Sequence, residues 1–215
     1  MLITFLLFEP ITALDVVGPY EVLSRIPDVD IRMVATEPGP KRTDQGALAL
    51  EADHPLELAP TTDILVVPGG VGVRGLVDDQ DVLDWVRAVH AESQWTTSVC
   101  TGALVLGAAG VLDGLEATTH WSALDRLSGY GARPVERRIV EQGKVITAAG
   151  VSAGIDMALH LAGRIVGTEA AEAIQLTMEY DPEPPFDAGS RRKASAAVIE
   201  EAERSLRRRG ITDAV

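Results

Sequence analysis

Short apolar runs alternate with amphipathic stretches along most of this 215-residue chain. Five of the runs have the length and the β-branched content of buried strands. The predicted strands span residues 2–8, 31–36, 63–67, 95–99 and 144–148, and the predicted helices lie near residues 14–25, 79–92, 102–109, 153–166 and 168–179. Strands that alternate with helices in this way indicate a mostly parallel sheet that is covered by helices on both faces.

The last predicted strand has a partner that precedes it directly in the chain. Residues 135–141 and 144–148 both favour extended structure, and Gln142-Gly143 lies between them. A short connection that contains glycine is typical of a β-hairpin. We therefore expect an antiparallel pair at one edge of the sheet.

The C-terminal part of the chain changes character. Prolines in residues 181–186 impose extended backbone, and an amphipathic helix is predicted near residues 192–209. We find no repeat and no low-complexity linker. We therefore expect one α/β domain formed by residues 1–190, with residues 191–215 as a terminal helix and tail of the same domain.

Composition and charge limit the kinds of molecule that the protein could bind. Hydrophobic residues make up 46% of the chain, which is enough for a full core, and the net charge of −13 argues against binding to nucleic acid. The apolar residues 1–8 form too short a run for a membrane span and lack a basic start, so we expect neither a signal peptide nor a membrane partner. A single cysteine permits no internal disulfide and fits a cytoplasmic location.

That cysteine, Cys100, lies where the predicted strand 95–99 gives way to the helix 102–109. Ser98 and Gly102, two positions before and after it, are small, as at a nucleophile elbow, where the tight turn excludes large side chains. The start of the helix would direct its amides at the sulfur and favour the thiolate. The alternative is a cysteine that serves as a small buried apolar residue.

Other candidate groups follow neighbouring strands and should meet Cys100 at the carboxyl edge of the sheet. Gly69-Gly70, after the third strand, leaves main-chain amides that could face a developing anion together with the amide of Thr101. The two glycines could equally serve only a turn, and they match no phosphate-binding fingerprint. Gly150 lies in the loop after the fifth strand, at the same edge.

Asp15 is the carboxylate most directly placed to act beside Cys100. It stands in an otherwise apolar helix start, where it is either an N-cap or a general acid whose pKa a nearby thiolate would raise. Glu21 is a weaker candidate of the same kind, and His120 could reach the site or be structural. The residue directly after Cys100 is Thr101 and not histidine, which argues against a Cys-His protease or amidotransferase, although His54, His90 and His160 stay open as partners in sequence terms. No spacing of ligands predicts a metal site.

Five segments and a proline-rich stretch carry a family pattern along the chain. They are Leu14–Val22, Val66–Gly70, Ser98–Gly102, Ala117–Trp121 and Gly154–Leu159, followed by the proline-rich Glu179–Ser190. In this order they resemble the DJ-1/PfpI superfamily, and most of all its isonitrile hydratase branch. Many members carry glutamate at the position of Asp15, and proteolytic members carry histidine at that of Thr101; both differences point to the hydratase branch.

The resemblance covers residues 2 to about 190 and implies a flavodoxin-like, class I glutamine amidotransferase-like fold with a nucleophile elbow at Cys100. AraC-type regulators share the domain but append a DNA-binding module, for which we expect no room here.

The resemblance implies hydration of a small-molecule isonitrile to an N-substituted formamide. Cys100 would form a thioimidate, Asp15 would act as acid and base, and Thr101 would position substrate or water, with no cofactor. It also implies a homodimer with the active site near the interface. A glyoxalase or deglycase, a stress sensor that works by cysteine oxidation, and a non-catalytic ligand-binding domain remain open alternatives.

Overall fold

The computed structural model describes residues 1–208. The chain divides into two compact units, Met1–Met178 and Glu179–Val215. The first contains eleven strands, six α-helices and two 3-10 helices, Leu56–Leu58 and Trp121–Tyr130. Its strands are β1 Leu2–Leu6, β2 Asp30–Ala35, β3 Gly39–Arg42, β4 Ala49–Ala52, β5 His54–Pro55, β6 Ile64–Val67, β7 Trp95–Val99, β8 Glu116–Ala117, β9 Arg133–Pro134, β10 Ile139–Gln142 and β11 Val145–Ala148. Its helices are α1 Ala13–Leu23, α2 Val73–Leu76, α3 Gln80–Glu92, α4 Gly102–Ala108, α5 Ala153–Val166 and α6 Thr168–Thr177.

Seven strands form the central sheet, in the order β10-β11-β7-β6-β1-β2-β5. Every pair in it is parallel except β10 with β11 at the edge. Helices α1 and α5 pack together, as do α3 and α4. The connections from β1 to β2 and from β6 to β7 run in opposite directions along the sheet, so the right-handed rule puts α1 and α3 on opposite faces. The predicted fold class and the edge hairpin are both confirmed.

The burial of the central strands explains why the apolar runs of the sequence form strands. All four residues of β6 are buried, and so are the last four of both β1 and β7. Such strands are covered on both faces, which is why they read as nearly continuous apolar runs. The hairpin of β3 and β4 was not predicted, because its two four-residue strands contain no β-branched or aromatic residue.

The strand order also decides where a ligand can bind. The chain steps from β1 to β2 in one direction and from β6 to β7 in the other, so the order reverses between β1 and β6. In open α/β sheets a crevice opens at the carboxyl ends of the strands at this switch point. The loops after β1, β6 and β7 therefore converge there.

The second unit, described as far as Arg208, contains one helix, α7 Ala196–Arg208. The proline-rich residues 181–186 form neither helix nor strand. Arg204 pairs within α7 with Glu200 and Glu201. The helix predicted over 192–209 thus begins later than expected, and residue 209 lies outside the described residues. Of the helices within residues 1–208, none is long and apolar enough to cross a membrane.

Candidate active site at the switch point

Cys100 occupies the turn between β7 and α4, as predicted. Its φ of 56° lies in the left-handed region that residues other than glycine rarely adopt. Its amide donates to the carbonyl of Ala149, in the loop after β11, at 3.0 Å. A Cβ at Gly102 would lie 2.1 Å from the carbonyl oxygen of Val67, so only glycine lets α4 start this close to β6. The small residue that the sequence shows here is therefore required by the turn.

The thiol of Cys100 is buried, with 6% of the residue exposed. Burial raises the pKa of this thiol, and the negative charge of Asp15 raises it further. Hydrogen bonds from the amide of Val151 and from the amide and side chain of Thr101 lower the pKa but do not compensate. Cys100 is therefore a thiol in the free protein. The amide of Thr101, at the start of α4, favours the thiolate as the sequence predicts, but burial and the charge of Asp15 outweigh it.

Asp15 lies in the first turn of α1 and is fully buried. Its Oδ2 accepts a hydrogen bond from the amide of Gly69 at 2.9 Å. Its Oδ1 is buried too, and it receives no hydrogen bond from a nitrogen or oxygen donor of the described residues. The N-cap of the helix is Thr12, so the alternative of Asp15 as an N-cap is wrong.

The environment of Asp15 holds a proton on its carboxyl. Burial raises the pKa of Asp15 to about 7, and the nearby charge of Asp44 contributes to the rise. The hydrogen bonds with Gly69 and with the Cys100 thiol act in the opposite direction, because they favour the carboxylate. A carboxyl that gains and loses its proton near neutral pH thus lies beside the only thiol of the chain.

The two glycines after β6 are used inside the site. The amide of Gly70 donates to Oγ1 of Thr101 at 3.1 Å, just as that of Gly69 donates to Asp15. A Cβ at Gly69 would lie 2.7 Å from both the amide nitrogen and Oγ1 of Thr101 and 2.8 Å from Oδ2 of Asp15. Gly69 is therefore the point at which Asp15 and Thr101 meet, and both glycine amides already have acceptors.

Val151 is a residue of the site that sequence reasoning missed. Its amide donates a hydrogen bond to the Cys100 sulfur, and its φ is 31°. Nothing in the sequence marks it, because an amide contact does not depend on the side chain. Gly150, which was singled out, immediately precedes it and leaves room for His120: a Cβ at Gly150 would lie 2.7 Å from Cδ2 of that ring.

His120 is a neutral ring behind this loop. Its Nδ1 accepts from the amide of Ser122 at 3.3 Å and lies 2.7 Å from the Ser122 hydroxyl. Burial lowers the pKa of His120 to about 4. Since Nδ1 accepts, the proton of the neutral ring is on Nε2. The residue before it, Thr119, donates its hydroxyl to the carbonyl of Cys100 at 2.6 Å.

Glu21 is not brought to the site. Its carboxylate pairs with Arg25, one turn further along α1, at 2.8 Å, and both side chains are well exposed. Within residues 1–208, no three side chains of His, Cys, Asp or Glu come together as a metal site would require. The titratable groups of the crevice are therefore Cys100, Asp15 and Asp44, with His120 behind them.

Comparisons with known proteins identify the family of this chain. Residues 1–164 match the DJ-1/PfpI family. An isonitrile hydratase from Pseudomonas putida is 46% identical over 200 residues, which are 93% of this chain and 87% of that protein. A transcriptional regulator from Pseudomonas aeruginosa, GbdR, is 31% identical over 62% of this chain but only 37% of its own length.

Solved structures agree with this assignment. A ThiJ/PfpI family protein from Pseudomonas syringae superimposes with a TM-score of 0.92 at 36% identity, over 96% of this chain and 86% of that one. DJ-1beta from Drosophila melanogaster shares the fold, with a TM-score of 0.74 at 18% identity over 83% of this chain and 97% of its own. The chain belongs to the DJ-1/PfpI family.

Proposed function

We propose that the protein hydrates an isonitrile to the N-substituted formamide, with Cys100 as nucleophile and Asp15 as acid and base. The relative named for this reaction is similar along nearly the whole chain. The observation that carries the proposal is the Asp15 carboxyl, buried beside the thiol with a pKa of about 7. A proton carrier with that pKa suits a reaction that transfers protons in both of its steps.

The first step adds the thiol across the terminal carbon of R–N≡C. The Asp15 carboxylate takes the proton of Cys100 as the sulfur attacks, and then gives it to the same carbon. One S–C and one C–H bond form while one π bond of the triple bond is lost, which leaves a thioimidate, R–N=CH–S–Cys. A buried thiol whose pKa is raised needs such a base beside it.

The second step releases the product with water. Asp15 takes a proton from water as the oxygen attacks the thioimidate carbon, and passes it to the nitrogen. The C–S bond then breaks as the carbonyl forms, R–NH–CHO leaves, and the hydroxyl proton passes to the sulfur through Asp15. Every atom comes from the isonitrile, water and the two side chains, and no electrons are exchanged, so the scheme requires no cofactor.

The neighbouring groups hold this pair and steady its charge. The amides of Thr101 and Val151 favour negative charge on the sulfur during attack. Gly69 and Gly70 contribute by holding Asp15 and Thr101, and the Thr101 hydroxyl is close enough to the sulfur to orient substrate or water. A homodimer and a cytoplasmic location stay predictions; light scattering of the purified protein tests the first.

Turnover of para-nitrophenyl isocyanide tests the proposal. We expect wild type to form the formamide, Cys100→Ser and Asp15→Asn to lose the activity, and Glu21→Gln, an exposed carboxylate of the same helix, to keep it. Because Cys100 is the only cysteine, a thioimidate adduct seen by whole-protein mass spectrometry can be assigned to it.

The same experiment separates the alternatives. Turnover of methylglyoxal in place of the isocyanide would indicate a glyoxalase or deglycase. Failure with both substrates, together with fast oxidation of Cys100 by peroxide, would indicate a sensor. The raised pKa of the thiol argues against the sensor, since peroxide reacts with the thiolate.

A further inference from the structure

Asp44, in the turn between β3 and β4, joins the two loops that form the crevice. Its Oδ2 accepts from the hydroxyl of Thr12, the N-cap of α1, at 2.5 Å. Its Oδ1 accepts from the amide of Val71, just after the glycine pair, at 3.1 Å. One carboxylate therefore bridges the loop that leads into Asp15 and the loop that carries Gly69 and Gly70.

The main chain around Asp44 reinforces this bridge. The amide of Asp44 donates to the carbonyl of Ile11 at 2.9 Å, and the amide of Ile11 donates to the carbonyl of Arg42 at 3.1 Å. The amide of Thr12 in turn donates to the carbonyl of Gly69 at 3.0 Å. The turn, the α1 loop and the glycine loop are thus tied in sequence, and Asp15 lies three residues beyond the tie.

We propose that Asp44 is a positioning residue of the active site, which clamps the α1 loop to the glycine loop and thereby holds the Asp15 carboxyl at the amide of Gly69. Asp44 does not touch the reacting atoms in the proposed scheme; it acts through Asp15. A like charge nearby disfavours ionisation, and the charge of Asp44 raises the pKa of Asp15. The kinetic half of the test below rests on the proposed hydration.

The other charged groups around Asp15 do not substitute for Asp44. Cys100 faces Asp15 from the β7–α4 turn and is a neutral thiol. His120, behind the Gly150 loop, is neutral because burial lowers its pKa to about 4. Glu9 precedes the helix and is exposed, and the Arg42 guanidinium donates to the carbonyl of Gly46 at 3.3 Å. No cation pairs with Asp44 in the ion pairs found among residues 1–208.

The experiment compares Asp44→Asn, Asp44→Ala and Glu51→Gln. Asparagine can still meet Thr12 and Val71 but has no charge, alanine removes both functions, and Glu51 is an exposed carboxylate on β4 of the same hairpin. The pKa of Asp15 is measured in each free protein by carbon NMR of labelled aspartate, with Asp15→Asn to assign the signal. Circular dichroism verifies that each variant is folded.

We expect the pKa of Asp15 to fall by about half a unit or more in Asp44→Asn and to stay unchanged in Glu51→Gln. The rise of kcat/KM with pH should move down by the same amount, while Asp44→Ala should also lose about tenfold or more in kcat. An unchanged Asp15 pKa in both Asp44→Asn and Asp44→Ala would overturn the proposal whatever the reaction is. A shifted pKa in a protein that hydrates no isonitrile would leave Asp44 its role and refute the proposed function instead.

Discussion

Buried polar side chains lie at both ends of β7, but they differ in whether they find hydrogen-bond partners. At the amino end, Thr96 Oγ1 lies 2.8 Å from Nδ1 of His90 and 3.0 Å from the hydroxyl of Ser93. Lys144 donates to three main-chain carbonyls there, at the end of α3. Each polar group has a partner, so this end is a structural cluster.

At the carboxyl end, groups of the same kind are left incomplete. Ser98 Oγ and Asp15 Oδ1 are buried without a nitrogen or oxygen donor or acceptor among the described residues, and Cys100 has a φ of 56°. Unsatisfied groups and backbone strain both cost stability and persist where the surrounding fold enforces them. The difference indicates that the polar side chains at the amino end of β7 stabilise the fold, whereas those at the carboxyl end are arranged for a reaction.

The largest expected effect is on the pH dependence of stability. The pKa of Asp15 is about 7 in the folded protein and about 3.9 in the unfolded chain, so the folded state binds the proton more tightly. This contribution to the free energy of unfolding is present below pH 4 and lost as the pH rises through 7. Between pH 4.5 and 8.5 wild type should lose about 3 kcal/mol that Asp15→Asn does not lose. Urea unfolding at both pH values measures it, with Glu21→Gln as the control; equal pH dependence in wild type and Asp15→Asn would refute the burial of an ionisable Asp15.

Gly69→Ala should damage the carboxyl end without unfolding the protein. The added Cβ meets Thr101 and Asp15 at 2.7–2.8 Å and must displace one of them. We expect kcat/KM with the isocyanide to fall by about 100-fold. Gly75→Ala, where a Cβ would have nothing within 4 Å, is the matched control and should keep wild-type activity. Full activity in Gly69→Ala would mean that this contact does not hold the catalytic geometry.

Lys144→Met should lower stability and leave activity unchanged. It removes the donor to the carbonyls of His90, Ala91 and Ser93 and should cost about 2 kcal/mol in the free energy of unfolding while kcat/KM stays unchanged. Thermal unfolding, compared with Lys41→Met on β3, measures the loss. A large loss of activity at unchanged stability would contradict the division between the two ends.

The smallest effects distinguish two positions on the same face of β7. Thr96→Val leaves His90 and Ser93 without their shared partner and should cost about 1–2 kcal/mol. Ser98→Ala removes a hydroxyl that has no partner, so it should be neutral or stabilise by up to about 1 kcal/mol. Chemical denaturation of both variants gives the comparison, and an equal cost at the two positions would show that Ser98 has a partner in solution.

Much of the fold could be predicted because the central strands are covered on both faces. Their apolar runs identify them, and the parallel order places the ends of β1, β6 and β7 at one edge. The sequence alone therefore predicts that Asp15, Gly69 and Cys100 lie together. The β3–β4 hairpin gave no such pattern, so Asp44, which it carries, could not be placed.

The protonation states of Cys100 and Asp15 could not be predicted from the sequence. The helix start beside Cys100 is visible in the sequence, but the depth of burial that outweighs it is not. The partners of the Gly69 and Gly70 amides likewise depend on the approach of α1 and α4 in space. The sequence therefore predicts which groups meet at the site, whereas packing determines which of them holds the proton.

The central claim is that Asp15 passes a proton between Cys100 and the substrate, and the pH profile of kcat/KM for para-nitrophenyl isocyanide tests it most directly. The reactive pair holds one proton, so wild-type kcat/KM should rise with pH through an apparent pKa of about 7. Asp15→Asn should lose about a thousandfold or more and show no such rise. An Asp15→Asn variant that keeps the wild-type rate and the same rise through pH 7 would contradict the account.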